Sequence, residues 1–257
     1  MDRLMNTDNS LSLQLLSSYC WISEDSLNNC KYPESLLNYV DLEVISIKQI
    51  PPIKRRRLNG LSKMAMHTSL NCLESLKSNS DEVITVFASQ HGELNRTISI
   101  ISDIINSQDV SPKDFSLSVH NSSLGLFSIF NNNTQPGTSI AAGSNTFGFA
   151  LLESYNLLKR FPNKKVLLTC FDLKVEPPFD SFLNRVEPSY SLSLLLSIDD
   201  NLAQHGYNIS FSFQRSEVPL QASMPLPLAF LQFLHSNAPS EQLKSNNTYW
   251  EFAKNAL

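Results

Sequence analysis

The sequence predicts an α/β domain, a layered sheet with covering helices. Short apolar, β-branched runs alternate along the chain with stretches whose apolar residues recur every three or four positions. A chain of 257 residues with 42% hydrophobic content can also bury roughly three quarters of its unfolded surface without metals or disulfides. Residues 1–257 read as a single domain, with an irregular segment over 1–50 and a loop-rich cap over about 215–257.

The elements follow in order. Residues 1–50 are Leu- and Ser-rich and interrupted by Ser23-Glu24-Asp25 and Tyr32-Pro33-Glu34, which suggests short helices and loops. Pro51-Pro52 punctuates the chain, since neither proline donates to a helix or ladder. The basic run Lys54-Arg55-Arg56-Arg57 follows. Leu58 to Leu76 is helical, with Leu58, Leu61, Met64 and Ala65 on one face. Val83 to Phe87 reads as a buried strand. Leu94, Ile98, Ile101 and Ile105 then mark the apolar stripe of an amphipathic helix. Phe115 to Val119 and Gly137 to Ala142 are expected strands, Thr146 to Leu158 an apolar helix, and Val166 to Phe171 a second buried strand. Ser191 to Ile198 and Asn208 to Phe213 add two more, the latter with Ile209, Phe211 and Phe213 on one face. Four prolines and Thr248 to Ala253 then predict a loop-rich cap ending in a short aromatic helix.

Composition excludes several functions. A net charge of −4 argues against nucleic-acid binding by bulk electrostatics. Pro225 to Leu234, the longest nearly apolar stretch, is about half of a membrane span. No uninterrupted apolar segment follows Asp2 and Arg3, so a cytoplasmic protein is expected. Cys20, Cys30, Cys72 and Cys170 lack CxxC spacing and read as free thiols in a reducing compartment.

The candidate sites are few. The five histidines, His67, His91, His120, His205 and His235, form no HxH, HExxH or HxxxH pattern, so no metal is expected. His91-Gly92-Glu93 reads as a turn and cap, and His120 as a structural residue. Lys54 to Arg57 suit an acidic partner, a solvated face or structural ion pairs. Ala141 to Thr146 joins a strand to an apolar helix, the geometry of a nucleophile elbow, although the flanking glycines of GxSxG are absent. No glycine-rich phosphate loop occurs, and no cofactor is expected.

The stretch from Phe115 through His120-Asn121-Ser122-Ser123 to Ile129, followed by Pro136 to Ser144 and an apolar helix, resembles the β-ketoacyl synthase family. Lys54-Arg55-Arg56-Arg57-Leu58, Ser89-Gln90-His91-Gly92-Glu93-Leu94 and Val166 to Phe179 extend the likeness over residues 50 to about 200. More closely, the chain resembles the short chain-length factors of aryl polyene-type type II synthase systems. The resemblance implies a thiolase-like fold, the ketosynthase N-terminal half with a short cap. It also implies a departure: an active ketosynthase carries a cysteine at the elbow to take the acyl group as a thioester, and this sequence places Ser144 or Asn145 there. Neither His205 nor His235 sits in a glycine-flanked catalytic motif.

A non-catalytic subunit is therefore implied, heterodimerised with an active β-ketoacyl synthase through the strand Thr138-Ser139-Ile140-Ala141-Ala142. Phe127, Phe130 and Phe147 are candidate tunnel or interface residues; ordinary core packing is the alternative. Lys54, Arg55, Arg56 and Arg57 are candidate contacts for an acyl carrier protein. Two rival functions remain open: an independent acyltransferase or hydrolase using Ser144, and a pure scaffold of the synthase complex.

Overall fold

A computed structural model describes residues 10–29, 32–183, 187–199 and 206–256. Eight strands form one sheet in the order β3-β2-β4-β5-β1-β6-β8-β7. The strands are β1 (Leu11–Ile22), β2 (Ile84–Ala88), β3 (Gly137–Ile140), β4 (Val166–Asp172), β5 (Tyr190–Ser197), β6 (Tyr207–Arg215), β7 (Ser240–Ser245) and β8 (Thr248–Ala256). β3, β2 and β4 run parallel and every other neighbouring pair is antiparallel. The carboxyl ends of β3, β2 and β4 thus share one end of the sheet, where ligand sites of open α/β sheets form.

Helices cover both faces. The chain-order set is α1 (Glu24–Asn29), α2 (Glu34–Leu37), α3 (Pro52–Arg55), α4 (Gly60–Glu74), α5 (Leu94–Ile105), α6 (Pro112–Ser116), α7 (Ser122–Asn131), α8 (Thr146–Arg160) and α9 (Leu226–His235). α4 and α7 build one core with Phe87, Phe127, Phe130, Leu167 and Phe171. α8 and α9 build the other with Val86, Leu168, Leu194, Phe230 and Phe252.

The α4 face of the sheet is partly hydroxylic. Thr68 Oγ1 lies 2.6 Å from Ser191 Oγ, Ser69 Oγ 2.8 Å from Thr169 Oγ1, and Thr169 Oγ1 2.9 Å from Ser193 Oγ. These small side chains satisfy one another, which keeps their burial inexpensive and leaves little bulk between α4 and the sheet. At the other face Lys254 Nζ donates to the Phe233, Leu234 and Ser236 carbonyls at 2.7, 2.6 and 2.7 Å. It thereby satisfies carbonyls that the end of α9 leaves open.

The expected buried strands at 83–87, 166–171, 191–198 and 208–213 correspond to β2, β4, β5 and β6, and the expected strand at 137–142 contains β3. Three expectations are corrected. First, the segment read as irregular contains β1, which pairs with β5 and β6. Covered on both faces and bulged between Leu15 and Ser17, it shows no clean alternation; its neighbours rather than its propensity make it a strand. Second, Phe115 to Val119 is not a strand. Ser111 Oγ accepts from the Asp114 N–H at 3.3 Å and Pro112 follows the cap, which starts α6. Third, the C-terminal cap is not loop-rich and its aromatic segment is not helical. α9 leads into the β7–β8 hairpin, turning at Asn246, whose φ is +44°.

Cys20, Cys72 and Cys170 are free and buried, as expected; Cys30 lies outside the described residues. No helix among the described residues is long and apolar enough to cross a membrane.

Candidate functional site

The loop between β3 and α8 makes a tight corner at the carboxyl end of the parallel strands. Gly143 takes the left-handed φ of +57° that the corner requires. The Ala142 N–H donates to Thr146 Oγ1 at 2.9 Å, and that hydroxyl donates to the Gly143 carbonyl at 2.6 Å. Ser144 sits at the apex, its carbonyl accepting from Ser245 Oγ at 2.6 Å. Asn145 is buried, and its Oδ1 accepts from Trp250 Nε1 at 2.9 Å. The Trp250 indole lies flush on α8 at Gly148, where a Cβ would stand 2.2 Å from Cζ2. Phe149 and Phe213 complete an aromatic cluster around it.

The two positions expected to replace a nucleophile therefore differ. Ser144 lines an open cavity of about 1040 Å³, together with Gln90, Glu187, Leu226, Lys244 and Ser245. No hydrogen bond joins its hydroxyl to a base among the described residues. Asn145 is a structural acceptor held by Trp250. Neither carries a thiol. Cys170 is enclosed in β4, and burial first, then the Asp172 charge, pushes its thiol far above the ordinary range. Cys72 is pushed up to about 12, chiefly by burial. A thiol so held is a poor nucleophile at neutral pH.

The loop after β2 folds around a carboxylate. Asp172 Oδ1 accepts from Ser89 Oγ at 2.7 Å and the His91 N–H at 2.9 Å, while Oδ2 accepts from the Gln90 N–H at 3.1 Å and Tyr190 OH at 3.3 Å. Burial nevertheless raises its pKa above the usual carboxylate value, outweighing those bonds. His91 Nε2 lies 2.7 Å from Glu187 Oε2. Glu93 turns elsewhere, accepting from Asn59 Nδ2 at 2.7 Å, Arg96 Nε at 2.9 Å and Ser122 Oγ at 3.0 Å. His91 and Glu93 thus do not form an acid/base pair; they tie the loop to different elements. His120 Nε2 meets the Ser89 carbonyl at 2.9 Å and its ring covers Gly92. His67 bridges the Ser46 carbonyl and Asp41, and His235 stacks on Tyr39. Each of the four described histidines is engaged by groups of this chain; His205 lies outside the described residues.

One pH effect follows. Burial alone would lower the His91 pKa, but the hydrogen bond to Glu187 and the Asp172 and Glu187 charges raise it above 6.5. The stabilisation is complete below that unfolded-state value and is lost as pH rises through the raised folded-state value. A charge-assisted bond, discounted for solvent screening, is worth about 1 kcal/mol here. Urea unfolding between pH 5.5 and 8.5 should show that decline in the wild type and a flatter profile in His91→Gln; identical profiles would refute the assignment.

The remaining predicted residues fall in three places. Thr138, Ser139 and Ile140 form the sheet's outer strand, with Ala141 and Ala142 just beyond it. Phe127 and Phe130 are buried beneath α7, Phe127 5.4 Å from Phe87, whereas Phe147 packs 5.1 Å from Phe230 across the sheet. The three are not brought together, and none lines the Ser144 cavity. In the basic run, Lys54 Nζ lies over the Phe130 ring and donates to its carbonyl at 3.4 Å. Arg56 and Arg57 are exposed, and no ion pair engages the run among the described residues. Arg55 and Arg56 border a second groove of about 1070 Å³ with Lys48 and Lys63. The described residues contain no cluster of side chains suited to a metal ion.

Sequence reasoning missed Trp250, Ser245 and Lys244. Their alternation, with Trp250 and Phe252 inward, was the available signal.

Comparison with known proteins is consistent with this geometry. Residues 30–253 match the family model described as "Beta-ketoacyl synthase, N-terminal domain". No curated protein matches the chain. Among solved structures, a chain of a ketosynthase in complex with its chain length factor from Xenorhabdus doucetiae superposes with a TM-score of 0.74 at 22% identity, covering 95% of this chain and 99% of that one. The ishigamide ketosynthase/chain length factor gives 0.62 at 13% identity, covering 80% and 68%. A β-ketoacyl synthase from Burkholderia phymatum STM815 gives 0.58 at 13%, covering 82% and 66%. The fold is the thiolase-like ketosynthase fold.

Proposed function

This chain belongs to the β-ketoacyl synthase N-terminal-domain family, and we propose that within it the chain is a non-catalytic chain-length-factor subunit. Its partner would be an active β-ketoacyl-carrier-protein synthase of an aryl polyene-type type II system. The observation that carries the reading is the elbow itself. The strand, corner and helix of a nucleophile site are present, yet Ser144 and Asn145 occupy the apex, and Trp250 holds Asn145 as an acceptor. A carboxamide so engaged cannot take up an acyl group.

In this reading the partner supplies the cysteine and histidines for decarboxylative condensation, and this chain supplies shape. The free edge of β3, from Thr138 to Ala142, pairs with the corresponding strand of the partner. Phe127, Phe130 and Phe147, being buried in this chain's own layers, would act from behind, fixing the elements that meet the tunnel. The basic run, Lys54 to Arg57, which no ion pair engages among the described residues, suits an acidic acyl carrier protein by charge complementarity. No cofactor is required of this chain.

Native mass spectrometry of the chain co-expressed with a ketosynthase from the same genome tests the proposal. A one-to-one heterodimer is expected. A monomer or homodimer beside an uncomplexed ketosynthase would overturn it, as would stoichiometric acylation of Ser144 by an acyl-carrier thioester.

A further inference from the structure

The segment from Leu42 to Arg57, which contains α3 and leads into α4, carries five Lys and Arg against one carboxylate, Glu43. It is +4 in a chain whose total is −4, which leaves −8 on all the rest. Lys63 of α4 borders the same groove as Lys48, Arg55 and Arg56, and Lys113 of α6 donates to the Arg56 carbonyl at 3.3 Å. Lys48, Arg56, Arg57 and Lys63 are exposed, and no ion pair engages any of these cations among the described residues. Positive charge is thus gathered on one face of an acidic protein.

Apolar side chains are set among these charges and held away from the core. Val44 is 91% exposed and Ile53 78%. The backbone around Val44 is pinned: the Glu43 N–H donates to Asp41 Oδ1 at 2.8 Å, its carbonyl accepts from Trp21 Nε1 at 2.9 Å, and the Ser46 carbonyl meets His67 Nδ1 at 2.8 Å. Ile45 and Ile47 turn into the α4 core, so Val44 is fixed outward. α3 starts at Pro52 and buries none of its residues, which leaves Ile53 at the surface beside Arg55 and Arg56. A single exposed aliphatic is ordinary. Two held outward within a cation cluster have the composition of a membrane-facing surface, where apolar tips enter the headgroup layer and cations meet its phosphates. Nucleic acid suits the face less well, since no aromatic residue for base stacking lines the groove. A folded acidic partner would need hollows to receive Val44 and Ile53; a headgroup layer receives them without shape complementarity.

We propose that the surface formed by Leu42 to Arg57, with Lys63, docks this protein peripherally on an anionic lipid bilayer. The charges draw the face toward the headgroups and turn the acidic remainder away from them, and Val44 and Ile53 enter the layer. The inference goes beyond the subunit role proposed above and does not rest on it; lipid and carrier protein would compete for Arg56 and Arg57.

The test is co-sedimentation of the full-length chain with vesicles of phosphatidylcholine containing about a third phosphatidylglycerol, and with vesicles of phosphatidylcholine alone. Two double variants are compared, Arg56→Gln with Arg57→Gln and Val44→Ser with Ile53→Ser, each checked for unchanged thermal unfolding. Wild type should bind the anionic vesicles alone, and roughly 10-fold more weakly when salt shortens the reach of the charges. The arginine pair should weaken binding by about 10-fold and the aliphatic pair by about 5-fold. Wild-type chain that ignores the anionic vesicles, or binds neutral ones equally, would overturn the proposal. Binding that the arginine pair leaves unchanged would place the contact elsewhere, and binding that the aliphatic pair leaves unchanged would overturn the insertion of Val44 and Ile53. An acidic carrier protein that binds wild type but not the arginine pair, with no vesicle binding, would assign the face to a protein instead.

Discussion

Gly148→Ala should destabilise this protein by about 3 kcal/mol, against the trend for helix interiors. In an exposed helix the change would gain up to ~1 kcal/mol from propensity. Here the new methyl would stand 2.2, 2.3 and 2.4 Å from three indole carbons of Trp250, closer than any real contact. Trp250 is fully buried, so shifting the indole displaces packed neighbours. Overpacking of this kind costs roughly 1–3 kcal/mol. A shifted indole also gives up its bond to Asn145, leaving a buried carboxamide oxygen unpaired at about 1–3 kcal/mol. The penalties outweigh the propensity gain.

Urea unfolding of Gly148→Ala, Trp250→Phe and the double variant checks the mechanism as a cycle. Phe is shorter and lacks the N–H, so it relieves the clash while sacrificing the bond. The double variant should then be more stable than the two single costs added together, with a coupling above about 1 kcal/mol. A Gly148→Ala variant more stable than wild type would show that Trp250 does not fix the elbow. The same contact bears on function, because the indole that forbids a side chain at 148 also engages Asn145 at the corner.

Much of this arrangement is legible in the amino-acid sequence. The fully buried runs of β2, β4 and β5 and the apolar α8 stand out, because strands covered on both faces must be apolar throughout. The corner between β3 and α8 is legible for a similar reason: a strand, a glycine and an apolar helix in succession leave little else to form. β1 is not, since its leucines and serines follow no single period and its partners lie near positions 190–197 and 207–211. β8 is legible in principle, but four preceding prolines argue for loops, and a helix and a hairpin are built around them. The link between Asn145 and Trp250 spans 105 positions, so no local pattern reports it. α5 teaches a different point: periodicity identifies its apolar stripe, yet Ile101 and Ile105 of that stripe are exposed, because periodicity reports a face and not what covers it.

Ser139→Pro should leave the fold intact and weaken the proposed complex with a ketosynthase more than 100-fold. The β2–β3 ladder gives the reason. The Thr85 N–H donates to the Pro136 carbonyl and the Ser89 N–H to the Ile140 carbonyl, each at 3.1 Å. With the parallel register Phe87 opposite Ser139, alternation turns the backbone groups of Thr138 and Ile140 toward β2. Those of Gly137, Ser139 and Ala141 point off the edge of the sheet. Proline at 139 therefore removes an outward N–H and places a ring there, as edge strands tolerate. Thr138→Pro is the matched control, because it deletes an inward ladder bond and should cost the isolated chain about 1–3 kcal/mol. The proposed heterodimer requires the outward row to pair with a partner strand, so Ser139→Pro must separate binding from folding. A variant that unfolds like wild type but binds the ketosynthase undiminished would remove β3 from the interface. Loss of binding with unchanged unfolding would leave strand pairing as the contact that joins the two subunits, since no side chain of this chain's own core is disturbed.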